Sequence, residues 1–175
     1  LGAMALQGRD KLTLITPRPL DTLGLWVEQL IAESTGKEGK GIVPVAGEPP
    51  LAPNEYGDDR LFVGVRLRGD SSDDTSRLRE LAAAGHPVVD LVLDDALDLG
   101  ETFFVWEFAT AVAGALLGVN PFDQPNVQES KDNTKRLLEE YKTSETMTAK
   151  ANGPRVSVDD ADAIAALLAK VKAHD

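Results

Sequence analysis

The sequence predicts an α/β domain built on a mainly parallel sheet. Three observations carry this. Short β-rich runs alternate along the chain with segments whose apolar residues repeat at helical spacing. The length of 175 residues suits one ordinary domain with a single core. Hydrophobic residues make up 42%, enough to fill that core.

Lys11 to Thr16 ("KLTLIT") reads as a strand stopped by Pro17 and Pro19. Asp21 is placed to cap a helix through about Glu33, with Leu23, Trp26, Val27, Leu30 and Ile31 as its buried stripe and Gly36 as its stop. Ile42 to Val45 is a brief apolar run before a loop rich in Pro and Gly. Arg60 to Leu67 ("RLFVGVRL") is a clear strand, and Ser76 to Ala84 a helix closed by Gly85. Pro87 to Leu93 is almost continuously apolar, which predicts a strand buried on both faces. A long helix follows over Thr102 to Leu117, ended by Gly118. Its Phe103, Phe104, Trp106 and Phe108 are expected to pack in the core. After the turn "NPFDQPN", Asp123 or Gln124 caps a helix with Pro125 in its first turn, reaching about Tyr141. Lys142 to Pro154 reads as a loop or linker. Ser157, Asp159 and Asp160 open a last helix carrying Ile164, Leu167, Leu168 and Val171. Residues Leu1 to Met4 read as a cloning remnant, leaving 5–175 as one domain.

Composition narrows the function. The net charge of −11 disfavours a protein that tracks nucleic-acid phosphates. No apolar run is long enough for a membrane helix, and no secretory leader is visible. With no cysteine there is neither a disulfide nor a thiolate metal site, and the cytoplasm is the default compartment. The two histidines, His86 and His174, lack a second His at ligand spacing, so neither a metal nor another cofactor is expected.

In such sheets ligands gather on the loops after the strands' carboxyl ends, and "IAESTGKEGKG" and "NPFDQPN" are the loop candidates. Gln29 and Glu33 are four apart and share a helix face. Glu33 stands at the helix C-terminus, where the dipole disfavours negative charge. It is therefore a candidate base, or simply a solvated helix-end acid. The phosphate-loop pattern fails, because Ile42 stands where its lysine must be. Lys37 and Lys40 then read as solvated loop charges, with contact to an anion as the alternative. Gln124 and Lys131 are about two helical turns apart and can share a face. Lys131 could act as an acid or an oxyanion partner, or be a surface lysine.

"WVEQLIAESTGKEGKGIVPV" (Trp26 to Val45) and "WEFATAVAGALLGVNPFDQPNVQESK" (Trp106 to Lys131) resemble the glucose-6-phosphate isomerase family. Within it they look most like the isomerase half of the bifunctional transaldolase/isomerase proteins. The resemblance covers roughly Gly8 to Lys172 and implies a flavodoxin-like αβα sandwich, the sugar isomerase (SIS) domain. This chain would be the second of two such domains. Glu33 would then fall on the base that moves a proton through a cis-enediol, and Lys131 on the lysine that helps open the sugar ring. Gln29 and Gln124 would bind substrate. The implied partners are a hexose phosphate and the first SIS domain; separately, the apolar surface of Thr102 to Leu117 and Ser157 to Val171 suits pairing with a second copy of the chain. Asn126 and Ser130 stand where the family usually has Gly, and Gln128 where it has Glu. The family's ring-opening histidine has no assigned counterpart. The alternative is a regulatory SIS domain that binds a phosphosugar without chemistry.

Overall fold

In the computed structural model, residues 1–70, 72–144 and 161–169 are described. They fall into two compact units, Leu1–Ser130 and Lys131–Asp175. The first holds α1 (Gly2–Ala5), β1 (Lys11–Ile15), α2 (Asp21–Thr35), β2 (Val43–Ala46), β3 (Arg60–Leu67), α3 (Asp73–Ala83), β4 (Val88–Leu93) and α4 (Leu99–Leu117). Helix α5 (Pro125–Ser144) begins in it, and α6 (Ala161–Leu168) belongs to the second.

The four strands run in the order β2-β1-β3-β4, and every pairing is parallel. Alternation along the strands divides the apolar residues between two faces. Leu12, Leu14, Leu61, Val63, Val65, Leu91 and Leu93 meet Leu23, Val27 and Ile31 of α2 and Trp106 and Ala113 of α4. On the other face Ile15 and Phe62 meet Tyr56 and Leu78 and Leu81 of α3. The result is the three-layer αβα sandwich.

Several boundaries differ from the sequence reading. Asp21 lies inside α2 and is not its cap: the N-cap residue is Leu20, with no side-chain capping bond. The Asp21 carboxylate instead lies 3.8 Å from Arg18. Helix α3 starts at Asp73 and α4 at Leu99, each three residues early. Helix α5 continues through Ser144, so Lys142–Ser144 is helix and not linker; the rest of that predicted loop lies outside the described residues. Of the last predicted helix, Ser157, Asp159, Asp160 and Val171 also lie outside them.

β4 is not buried on both faces. It is an edge strand, and Val89 and Asp90 are exposed. The aromatic series also divides. Trp106 is buried, and Phe103 meets Trp26 edge-on with centroids 4.5 Å apart. Phe104 and Phe108, 67% and 63% exposed, stack on each other on the outer side of α4. Helix α4 carries apolar residues on every side, with Glu101 and Glu107 among them, so composition could not say which side would be covered. The buried side is polar in part, because Thr102 and Thr110 donate back to the Asp98 and Trp106 carbonyls and enter the interface satisfied.

Phe62 is fully buried between the sheet and α3. Phe62→Ala is expected to lower stability by about 3–5 kcal/mol. Urea unfolding followed by far-UV circular dichroism would read this as a lower midpoint with an unchanged slope.

Candidate functional site

Parallel pairing of β1 with β2 makes α2 run from the carboxyl end of the sheet back to its amino end. The segment after α2 therefore lies at the amino ends of the strands, and so does the segment after α4. This corrects the expectation that both candidate loops follow the strands' carboxyl ends. At the carboxyl ends of β3 and β4 there is a cavity of about 340 Å³ lined in part by Asp90, Asp94, Asp98 and Glu101. The arginine in that lining, Arg68, is paired with Asp94. Such a lining repels a phosphate.

The turn after α2 is built tightly. Thr35 is fully buried; its Oγ1 donates to the Ile31 carbonyl at 2.8 Å and accepts from the Ile42 amide at 3.0 Å. The helix end is thereby latched to the start of β2. Lys37 and Lys40 then face each other across a two-residue turn, with N–H···O bonds of 3.1 and 2.9 Å. The central residues Glu38 and Gly39 have φ of 57° and 71°, the positive pair that a type I′ turn demands. "KEGK" is thus a hairpin-like turn and not a phosphate cradle.

Neither lysine is a free loop charge, as the composition of the stretch had suggested. Lys37 is 4% exposed. Its Nζ donates to the Asn120 carbonyl at 2.6 Å, to the Asp123 carbonyl, and to Asp123 Oδ1 at 2.9 Å. Lys40 Nζ donates to the Leu117 carbonyl at 3.0 Å, satisfying an orphan acceptor at the end of α4.

The sequence-predicted residues are placed as follows. Glu33, in the last turn of α2, and Gln124, just before α5, line one small cleft of about 70 Å³ with Ala32, Gly36, Lys37, Pro125 and Val127. Both side chains are exposed. Gln29 is exposed one turn earlier on the same face of α2, outside that lining. Lys131 is exposed on α5 and is the first residue of the second unit. His86 is engaged structurally: its Nε2 lies 2.8 Å from the Pro53 carbonyl, and its ring meets Phe62 and Tyr56 edge-on. Among the described residues no cluster of three His, Cys, Asp or Glu could hold a metal ion, and no helix is long and apolar enough to cross a membrane. Sequence reasoning missed Thr35 and Lys37 as builders of the site. The available signal was the "KEGK" spacing, which suits a turn with positive φ.

No protein-family model matches the sequence. Glucose-6-phosphate isomerases do. The enzyme of Heliobacterium modesticaldum is 31% identical, over 75% of this chain and 38% of its own length. That of Symbiobacterium thermophilum is 30% identical, over 78% and 39%. That of Leptospira biflexa is 29% identical, over 65% and 33%. Part of the chain thus shows weak homology, at 29–31% identity, to glucose-6-phosphate isomerases. The chain spans little more than a third of the curated relatives it matches. Among solved structures, a hypothetical protein from Thermus thermophilus superposes with a TM-score of 0.61 at 22% identity, over 78% of this chain and 44% of its own. That likeness supports the fold.

Thr35→Val keeps the shape of the side chain but strands the Ile42 amide without an acceptor. A loss of about 1–3 kcal/mol is expected in chemical denaturation, with Thr35→Ser close to the parent protein.

Proposed function

We propose that this chain supplies the proton-transfer wall of a phosphosugar isomerase that interconverts glucose 6-phosphate and fructose 6-phosphate. The observation that carries the reading is that Glu33 and Gln124 line one cleft. Similarity to the isomerases supports the same reaction class.

In this reading the Glu33 carboxylate takes the proton from C2 of the open-chain aldose. The C–H electrons form the C1–C2 double bond, O1 takes the O2 proton and becomes a hydroxyl, and O2 is left as the oxyanion of a cis-enediolate. Glu33 returns its proton to C1, and the ketose results. The amides of Gln124 and Gln29 hold sugar hydroxyls. The Lys131 ammonium assists ring opening by donating toward the ring oxygen. Each task requires a base, a cation or neutral donors, and each is matched to a residue of that kind.

The cleft is small for this purpose. Sites for small molecules run to about 300–1,000 Å³, against about 70 Å³ here. A hexose phosphate would need further walls, and the remainder of a longer isomerase is the source we propose for them. Phosphate contacts made there would supply the binding energy that orients the sugar on Glu33.

The 175-residue chain alone is accordingly expected to give no turnover of fructose 6-phosphate in a coupled assay; robust turnover would sink the reading. In a full-length isomerase carrying this sequence, Glu33→Gln should lower kcat by about 10²–10⁴ while leaving the unfolding midpoint in place. Lys131→Ala should reduce turnover of the cyclic sugar more than that of an open-chain analogue. Wild-type kcat in either variant would reject the role given to that residue.

A further inference from the structure

Gln124 stands on the connection between α4 and α5, a stretch with no strand partner to fix it. An exposed amide on such a stretch does not hold a substrate hydroxyl in register with a base on another helix unless something ties the two together. We infer that Lys37 is that tie: a positioning residue whose buried ammonium fixes the 120–124 segment against the end of α2, and so sets Gln124 opposite Glu33. The inference rests on the roles proposed above for Glu33 and Gln124.

The geometry supports it at both ends. An ammonium has three N–H donors, and Lys37 Nζ meets three oxygens: the carbonyls of Asn120 and Asp123, and Asp123 Oδ1. All three lie within the four residues before Gln124. At the other end, the Lys37 amide donates to the Thr35 and Lys40 carbonyls, and Thr35 is latched to α2 and to Ile42. The ammonium is therefore carried on a stiff base that begins only two residues after Glu33. Lesser contacts shape the remainder of the segment. Phe122 donates its amide to Asn120 Oδ1 at 3.0 Å. Gly114 leaves room for Pro121, whose Cδ would lie 2.9 Å from an added Cβ.

An apolar residue at position 37 fills the space but offers no donor, so two carbonyls and a carboxylate lose their partner at once. An arginine keeps the charge but presents a planar fork in place of three converging donors. Neither replaces the lysine.

The test is hydrogen exchange on the 175-residue chain, with turnover of a full-length isomerase as the second readout. Lys37→Met is expected to speed exchange in peptides covering 118–128 by about tenfold or more, while β1 and β3 keep their protection. In the full-length enzyme kcat should fall about 10²-fold, as expected for a displaced binding group. Should Lys37→Met not fold, Asp123→Asn removes only the half-exposed carboxylate and should give a smaller rise confined to the same peptides. Unchanged exchange over 118–128, or a rise spread evenly over the sheet, overturns the positioning role. If the isomerase reading alone is wrong, the full-length protein shows no isomerase activity even as wild type, and the local exchange change in Lys37→Met persists.

Discussion

β1 lies between β2 and β3 with both neighbours parallel, so each connection must carry the chain back across the sheet before the next strand can start. Helix α2 makes that return for β1, and its last turn is delivered to the amino end of the sheet. The position of Glu33 is thus a consequence of strand direction. Helix α4 returns in the same sense after β4, and brings the 118–124 segment to the same end. Two elements distant in sequence meet there because the sheet leaves them no other end to reach.

The meeting is made specific by desolvated polar groups. A lysine side chain out of water needs its charge and its donors answered, and backbone carbonyls at the end of a helix need donors. Lys37 and Lys40 answer these demands together, and the hydroxyl of Thr35 closes the turn from which both project. The acids at the opposite end of the sheet are used differently. Asp98 and Asp95 accept from backbone amides of the loop between β4 and α4, so their negative charge serves local structure.

Much of the architecture was legible in the sequence. Arg60–Leu67 was bounded correctly because its β-rich run is bracketed by turn residues on both sides. The end of α2 near Glu33 was readable from the glycine after it. The edge position of β4 was not, since strand order depends on pairing partners that no local pattern encodes. The burial of Lys37 was hidden for a related reason: its acceptors are mostly main-chain carbonyls, which look the same in every sequence, and Gly-Lys composition reads as solvent-facing. For the site, side-chain patterns alone left Glu33 ambiguous. The likeness of "AESTGK" and "FDQPNVQESK" to the isomerases singled out Glu33 and Gln124, and the structure then gave them a common cleft. Lys131 was read from the same motif and belongs to the second unit.

The stacked Phe104 and Phe108 on the outer side of α4 bear on how the protein behaves in a tube. A net charge of −11 opposes the approach of copies through these rings. That repulsion is screened by salt and disappears as the pH approaches the isoelectric point near 4.6. Acidic or concentrated-salt buffers remove the barrier while the rings stay exposed. Colloidal stability, separately from folding stability, is therefore greatest in dilute buffer well above that pH.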